Sequence, residues 1–253
     1  MIISVAQAQL FFLALTRILA VLIHIPVLGS QNSPNQIRIG LGLVLTLVLI
    51  PWQPLPPDAQ TMGLIAFSVA IGKELLIGTL SGFASALIFG AVEMAGEVMG
   101  MGSGFGSSRI FNPTINESGS AFNQLFVIIA SMYFMVVDGH HAILIALERT
   151  FKVIPINGDL PINSLESLMK ITAQLFITGV QLALPVMVAL FLADLTLGLL
   201  ARVAPQVQVF FLGLPLKVGV SLIGIGLLFS VIFPSLNSLY QSIGPNMLQL
   251  LEK

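Results

Sequence analysis

Few residues in this chain could do chemistry, and their spacing argues against a reaction. Glu93 and Glu97 stand four apart, so on a helix they share a face. Two acids placed that way repel and need a cation, a polar lumen or a partner subunit. A metal ion would be the sharpest reading, but the histidines are His24, His140 and His141, and no Glu-x-x-His exists. No metal site is expected. Asp138-Gly-His-His141 ends an apolar run, and adjacent histidines on a helix cannot face one ligand. A turn or helix-end role fits that stretch better. Lys73 and Glu74 are also adjacent, about 100° apart on a helix, and make a poor pair. Asp194 and Arg202 lie two turns apart on similar sides of a helix, suited to an internal or an intersubunit salt bridge. Gln174, Thr178 and Gln181 form one polar stripe before Pro185. Such a stripe serves an interhelical contact or a water-filled channel. Gly-x-Ser-x-Gly, His-Glu-x-x-His and paired intramembrane aspartates are all missing, so neither catalysis nor a cofactor is expected.

The stretch Met99–Gly119 is the least ordinary part of the chain. Glycines at 100, 102, 104 and 106 open backbone conformations closed to other residues. Met99, Met101, Phe105, Ile110 and Phe111 are apolar and soft or bulky. Loops of this length without structure of their own are functional or disordered. A flexible backbone carrying such side chains suits a plug or gasket; the plainer reading is a connection whose apolar residues pack on helix ends. It is no phosphate cradle, since no strand precedes it, no Lys follows the glycines and the spacing is not G-x-G-x-x-G. Just before it, Gly78, Gly82, Ala86 and Gly90 recur every fourth position, with Gly96 and Gly100 continuing the spacing. Small residues so spaced let helix backbones approach closely, in this chain or a neighbouring one.

Composition says what elements must carry these residues. Only 8% of the 253 residues are charged, and 56% are hydrophobic. An ordinary soluble domain has about 25% charged residues. Mean hydropathy is +1.00. Ten basic and eleven acidic residues cannot cover a soluble surface of this size, so lipid or partner subunits must. Net charge is −1 without a basic run, which argues against nucleic acid. There is no cysteine, so disulfides and thiolate metal sites are excluded. Met1–Thr16 has no basic n-region and Arg17 interrupts the apolar run, so the N-terminus reads as mature chain rather than a cleaved signal.

Crossing a bilayer takes about 20 apolar residues as helix. Six hydrophobic regions qualify: Ile18–Ile37, Ile39–Pro57, Leu75–Val92 with its helix continuing through Glu93 and Glu97, Ser118–Val137, Ile171–Ala193 and Val218–Leu251. The prolines at 51, 54, 56 and 57 end the second. Pro185 should kink the fifth, Pro205 and Pro215 bracket a re-entry into the sixth, and Pro234 and Pro245 interrupt it. Runs such as Leu41–Ile50 are apolar on both faces, which rejects a barrel. The expected fold is an all-α membrane protein. Orientation does not resolve: Arg38, Arg109, Arg202 and Lys217 fall on one side, and Arg149, Lys152, Lys170 and Lys253 on the other.

Ala193-Asp-Leu-Thr-Leu-Gly-Leu-Leu-Ala-Arg-Val-Ala-Pro-Gln206, with Val209-Phe and Leu214-Pro-Leu-Lys217, closely resembles the signature of the FliR/SctT family of flagellar and virulence secretion. Asp138-Gly-His140, Thr150-Phe151, Ile154-Pro155 and the Glu93–Phe111 region resemble it too, although Asn112 stands before Pro113 where many relatives carry Asp. The resemblance implies a single export-gate domain over 1–253, built of kinked helical hairpins, with a FliP-like part to about 165 and a FliQ-like part from 166. It implies a non-enzymatic subunit in the bacterial inner membrane at the flagellar basal body. Implied partners are five FliP and four FliQ copies, FlhB, lipid, and the unfolded flagellar subunits that the assembly exports. The family's loop matching Met99–Gly119 closes the pore, with Phe105 and Phe111 as its bulkiest elements. A small-solute secondary transporter is the competing reading; it should show an internal repeat, and no convincing one is found.

Overall fold

The structure is a computed structural model, and it describes residues 4–25, 34–49, 61–106, 120–160, 164–206 and 208–251. These residues contain eight helices and no strand. They are α1 (Val5–His24), α2 (Asn35–Leu49), α3 (Leu64–Gly102), α4 (Ala121–Val136), α5 (Gly139–Val153), α6 (Ser164–Val203), α7 (Val209–Gln241) and α8 (Ile243–Gln249). Helices α1, α3 and α6 are each long and apolar enough to cross a membrane, and α4 with α5 makes a broken fourth candidate. The chain is an all-α membrane protein.

Local chemistry sets the helix boundaries. Ser4 and Gln7 form a capping box at the head of α1, each side chain bonding the other's backbone N–H. This moves the first helix to Val5, well before the apolar window beginning at Ile18. That window in fact straddles the end of α1 and the start of α2. Helix α3 continues through Glu93 and Glu97 as expected, but it begins earlier than Leu75 and also carries Lys73 and Glu74; α6 likewise runs through Lys170 and Asp194. Proline acts according to its position: Pro205 lies between α6 and α7, and the prolines at 51, 54, 56 and 57 fall outside the described residues. Pro215 and Pro234 both lie inside α7, as Pro185 lies inside α6. Each removes one intrahelical bond while the turns on either side continue. Pro245 sits in the first turn of α8, where its missing N–H costs nothing.

The chain forms two compact units from interleaved segments. The first comprises Met1–Phe89, Asp138–Ala173 and Gln241–Lys253. Its centre is Arg17, fully buried on α1. The guanidinium bonds Glu74 on α3 through Nε (2.5 Å) and Nη2 (3.0 Å). It also donates to the carbonyls of Thr150 (3.2 Å), Ile154 (2.7 Å) and Pro155 (3.3 Å). All five guanidinium N–H groups thus find acceptors. The Phe151 ring lies 4.4 Å below it, and the backbone N–H of Asn157 completes Glu74 at 2.7 Å. Glu74 therefore pairs across 57 residues of sequence, not with its neighbour Lys73. Ile77, Ile154 and Leu251 pack together in the same core.

The second unit comprises Gly90–Val137 and Gln174–Tyr240. Phe122, Phe126, Ala130 and Phe134 recur every fourth residue along α4 and are all buried. Tyr133 stacks on Phe233 with centroids 4.6 Å apart, and the Tyr240 hydroxyl donates to the Ala130 carbonyl at 2.9 Å. This latches α7 to α4. Helix α6 approaches α3 at Gly179, where a Cβ would meet the Ala91 carbonyl at 2.9 Å.

Candidate functional site

The glycine-rich stretch leaves the end of α3 in a tight turn. The Ser103 N–H donates to the Met99 carbonyl at 2.9 Å, and its hydroxyl to the Gly100 carbonyl at 2.8 Å. Gly104 then takes φ +86°, where a side chain would be strained. Met99 is buried, Met101 is 61% exposed, and Phe105 sits half-buried with its ring 5.9 Å from that of Phe122. Ile110 and Phe111 lie outside the described residues.

The far end of the same stretch returns to the same place. Ser120 caps α4, its hydroxyl accepting the Asn123 N–H at 3.1 Å. The Ser120 N–H in turn donates to the Glu97 carboxylate at 3.2 Å. The backbones of α3 and α4 approach closely here: a Cβ on Gly100 would land on the Ser120 hydroxyl, and one on Gly96 on the Asn123 side chain. Glu97 and Ser120 thus tie the two sides of the stretch together. Glu93, one turn earlier, is exposed.

The small-residue ladder divides. Gly78 and Gly82 face α1: a Cβ at Gly78 would stand 2.6 Å from the Arg17 carbonyl, and one at Gly82 3.0 Å from Val21. Ala86 is half-buried, and Gly90 is exposed with open space around it. Gly90 therefore packs against nothing in the described residues.

The polar residues of α6 point outward. Gln174 and Gln181 are exposed, and the Thr178 hydroxyl folds back onto the Gln174 carbonyl at 2.8 Å. Asp194 pairs not with Arg202 but with Lys217 of α7, at 2.5 Å. Leu197, Val209, Gly213 and Leu214 join that pair around a cavity of about 230 Å³. Arg202 is exposed and makes no ion pair among the described residues. Sequence reasoning noted Arg17 only as a break in an apolar run and found neither its partners nor Asn157, although a charge inside an apolar helix already demands a partner.

A profile described as "Bacterial export proteins, family 1" matches residues 8–243. The chain is 32% identical to the flagellar biosynthetic protein FliR of Pectobacterium carotovorum subsp. carotovorum, over 92% of this chain and 89% of the relative. It is 30% identical to the FliR of Escherichia coli strain K12, over 93% and 90%. It is 31% identical to that of Bacillus subtilis strain 168, over 88% and 87%.

Proposed function

We propose that this chain, which belongs to family 1 of the bacterial export proteins, the family of flagellar biosynthetic protein FliR, is a non-enzymatic subunit of a flagellar export gate. In this reading it forms one part of a channel wall, together with FliP and FliQ, in the inner membrane at the basal body. Met99–Gly119 acts as a plug in the path of unfolded flagellar proteins. FlhB is a further neighbour, and the FliP-like and FliQ-like parts meet near residue 165.

One observation carries this reading: exposed apolar surface extends past the reach of a bilayer. The charge-free run Ile171–Ala193 of α6 is about 34 Å long as helix, already the thickness of the hydrocarbon core, about 30 Å. Yet Leu165 and Met169 before it, and Leu195, Leu199 and Val203 after it, are exposed. On α3, Leu64, Ile65 and Val69 are exposed ahead of Lys73. Lipid tails do not reach all of these together, whereas neighbouring subunits do. The outward polar stripe of Gln174 and Gln181 and the open face at Gly90 suit the same contacts. The Glu97–Ser120 tie supports the plug, because it holds the end of α3 beside the start of α4 on either side of that stretch.

The test is to coexpress the chain with the FliP and FliQ of the same bacterium, purify it in mild detergent and weigh the intact particle. A hetero-oligomer holding one copy of this chain is expected. A stable monomer or homodimer that retains neither partner contradicts the proposal.

A further inference from the structure

Asp138 occupies the N-cap of α5 with φ 55° and ψ 30°, left-handed backbone for a residue with a side chain. An aspartate at this position ordinarily turns its carboxylate onto the N–H groups of the first turn. Here it makes no such bond. Its Oδ1 instead lies 3.4 Å from His141 Nδ1 and 4.0 Å from His140 Nε2. The two imidazoles stand with centroids 4.4 Å apart. One donor atom from each of the three residues lies within 4.8 Å of the other two.

Adjacency in sequence had ruled the histidines out as co-ligands. The geometry differs because Cα–Cβ bonds on a helix tilt toward its N-terminus. Both first-turn side chains lean over the cap, where the left-handed Asp138 presents its carboxylate. Around a tetrahedral zinc ion with bonds of about 2.0–2.1 Å, ligand atoms sit roughly 3.3 Å apart. The observed 3.4 and 4.0 Å need only small side-chain rotations to reach that spacing. The His140 Nδ1 is buried and has no hydrogen-bond partner among the described residues, so no protein group there fixes the ring's tautomer. An ion on Nε2 would place the ring proton on Nδ1, where among the described residues it meets no acceptor.

We propose that Asp138, His140 and His141 form a binding site for one divalent transition-metal ion of the zinc class, with water at a fourth position. Two imidazoles and one carboxylate are the donor set of open zinc sites, and also suit nickel. Asp138 and His141 are well exposed, which gives an ion a path in. Bound there, the ion clamps Asp138 to the first turn of α5 and holds the break that precedes that helix.

The test uses the full chain in detergent with its affinity tag removed, titrated with Co²⁺. A saturable visible spectrum of four-coordinate cobalt, at one ion per chain and displaced by Zn²⁺, is expected. Asp138→Gly keeps a residue suited to positive φ and should weaken binding roughly tenfold or more. His140→Ala/His141→Ala should abolish the spectrum, with helix content by circular dichroism showing that the fold persists. His24→Ala should change nothing, since that ring already bonds the Ala20 carbonyl. No saturable binding by the unaltered chain, persistence in the double variant, or loss in His24→Ala each overturns the site.

Discussion

Arg17 is the residue on which the first unit closes. A buried ion pair contributes little over an apolar pair of equal volume, but breaking one side leaves an uncompensated charge. Arg17→Ala or Glu74→Ala should therefore cost about 3–5 kcal/mol, read as a lowered midpoint of thermal unfolding in detergent. Arg17→Met combined with Glu74→Leu should restore most of that loss, although the Ile154 carbonyl would lose the Arg17 donor and the Asn157 N–H its acceptor, while the Pro155 carbonyl keeps the Gly158 N–H. Asp194 and Lys217 behave differently, because both side chains are partly exposed. An exposed pair is worth about 0–1 kcal/mol. Lys217→Ala should thus leave the unfolding midpoint nearly unchanged, while weakened copurification of FliP or FliQ would place the pair at a subunit boundary. Single residues were legible to different degrees. Arg17 was visible as a charge in an apolar run, but its partner was not, since contact across 57 positions depends on tertiary packing. The pairing of Asp194 with Arg202 followed helix spacing and missed that α7 brings Lys217 closer.

At the scale of elements, small residues decide where helices touch. A Cβ at Gly78 meets the backbone of α1, which cannot give way as a flexible side chain would. Gly78→Ala should cost about 1–3 kcal/mol, measured by the same unfolding assay. Gly90 has open space, so Gly90→Ala should leave the isolated chain as stable or up to about 1 kcal/mol more so through helix propensity. If that face meets another subunit, the same change should lower the yield of assembled complex. The every-fourth spacing was readable, but it could not tell which rungs met a helix of this chain. Helix boundaries were the weakest part of the reading for a physical reason. The third region begins at Leu75 in a charge-free window, whereas the chain satisfies Glu74 internally and α3 starts at Leu64. Pro215 and Pro234 read as an edge and an interruption of the sixth region, whereas α7 continues on both sides of each missing bond. Helix α5 is absent from the six hydrophobic regions because it carries Glu148, Arg149 and Lys152; Glu148 and Lys152 pair one turn apart at 2.6 Å.

At the scale of the molecule, the class was plain from composition, since so few charges cannot face water over 253 residues. What covers the apolar exterior was not, because Leu, Val and Phe look alike whether they meet lipid or protein. Helix length against bilayer thickness separates the two, and it points to neighbours beyond the hydrocarbon. The described ends of Met99–Gly119 are held together by the Glu97–Ser120 bond at the junction of α3 and α4. The most direct measurement is ion leak through the assembled complex, reconstituted in a sealed membrane, with and without Gly104–Ile115. The account predicts that the shortened chain assembles with its partners as before and conducts ions that the intact complex holds back. An intact assembly whose leak is unchanged by the deletion would contradict it.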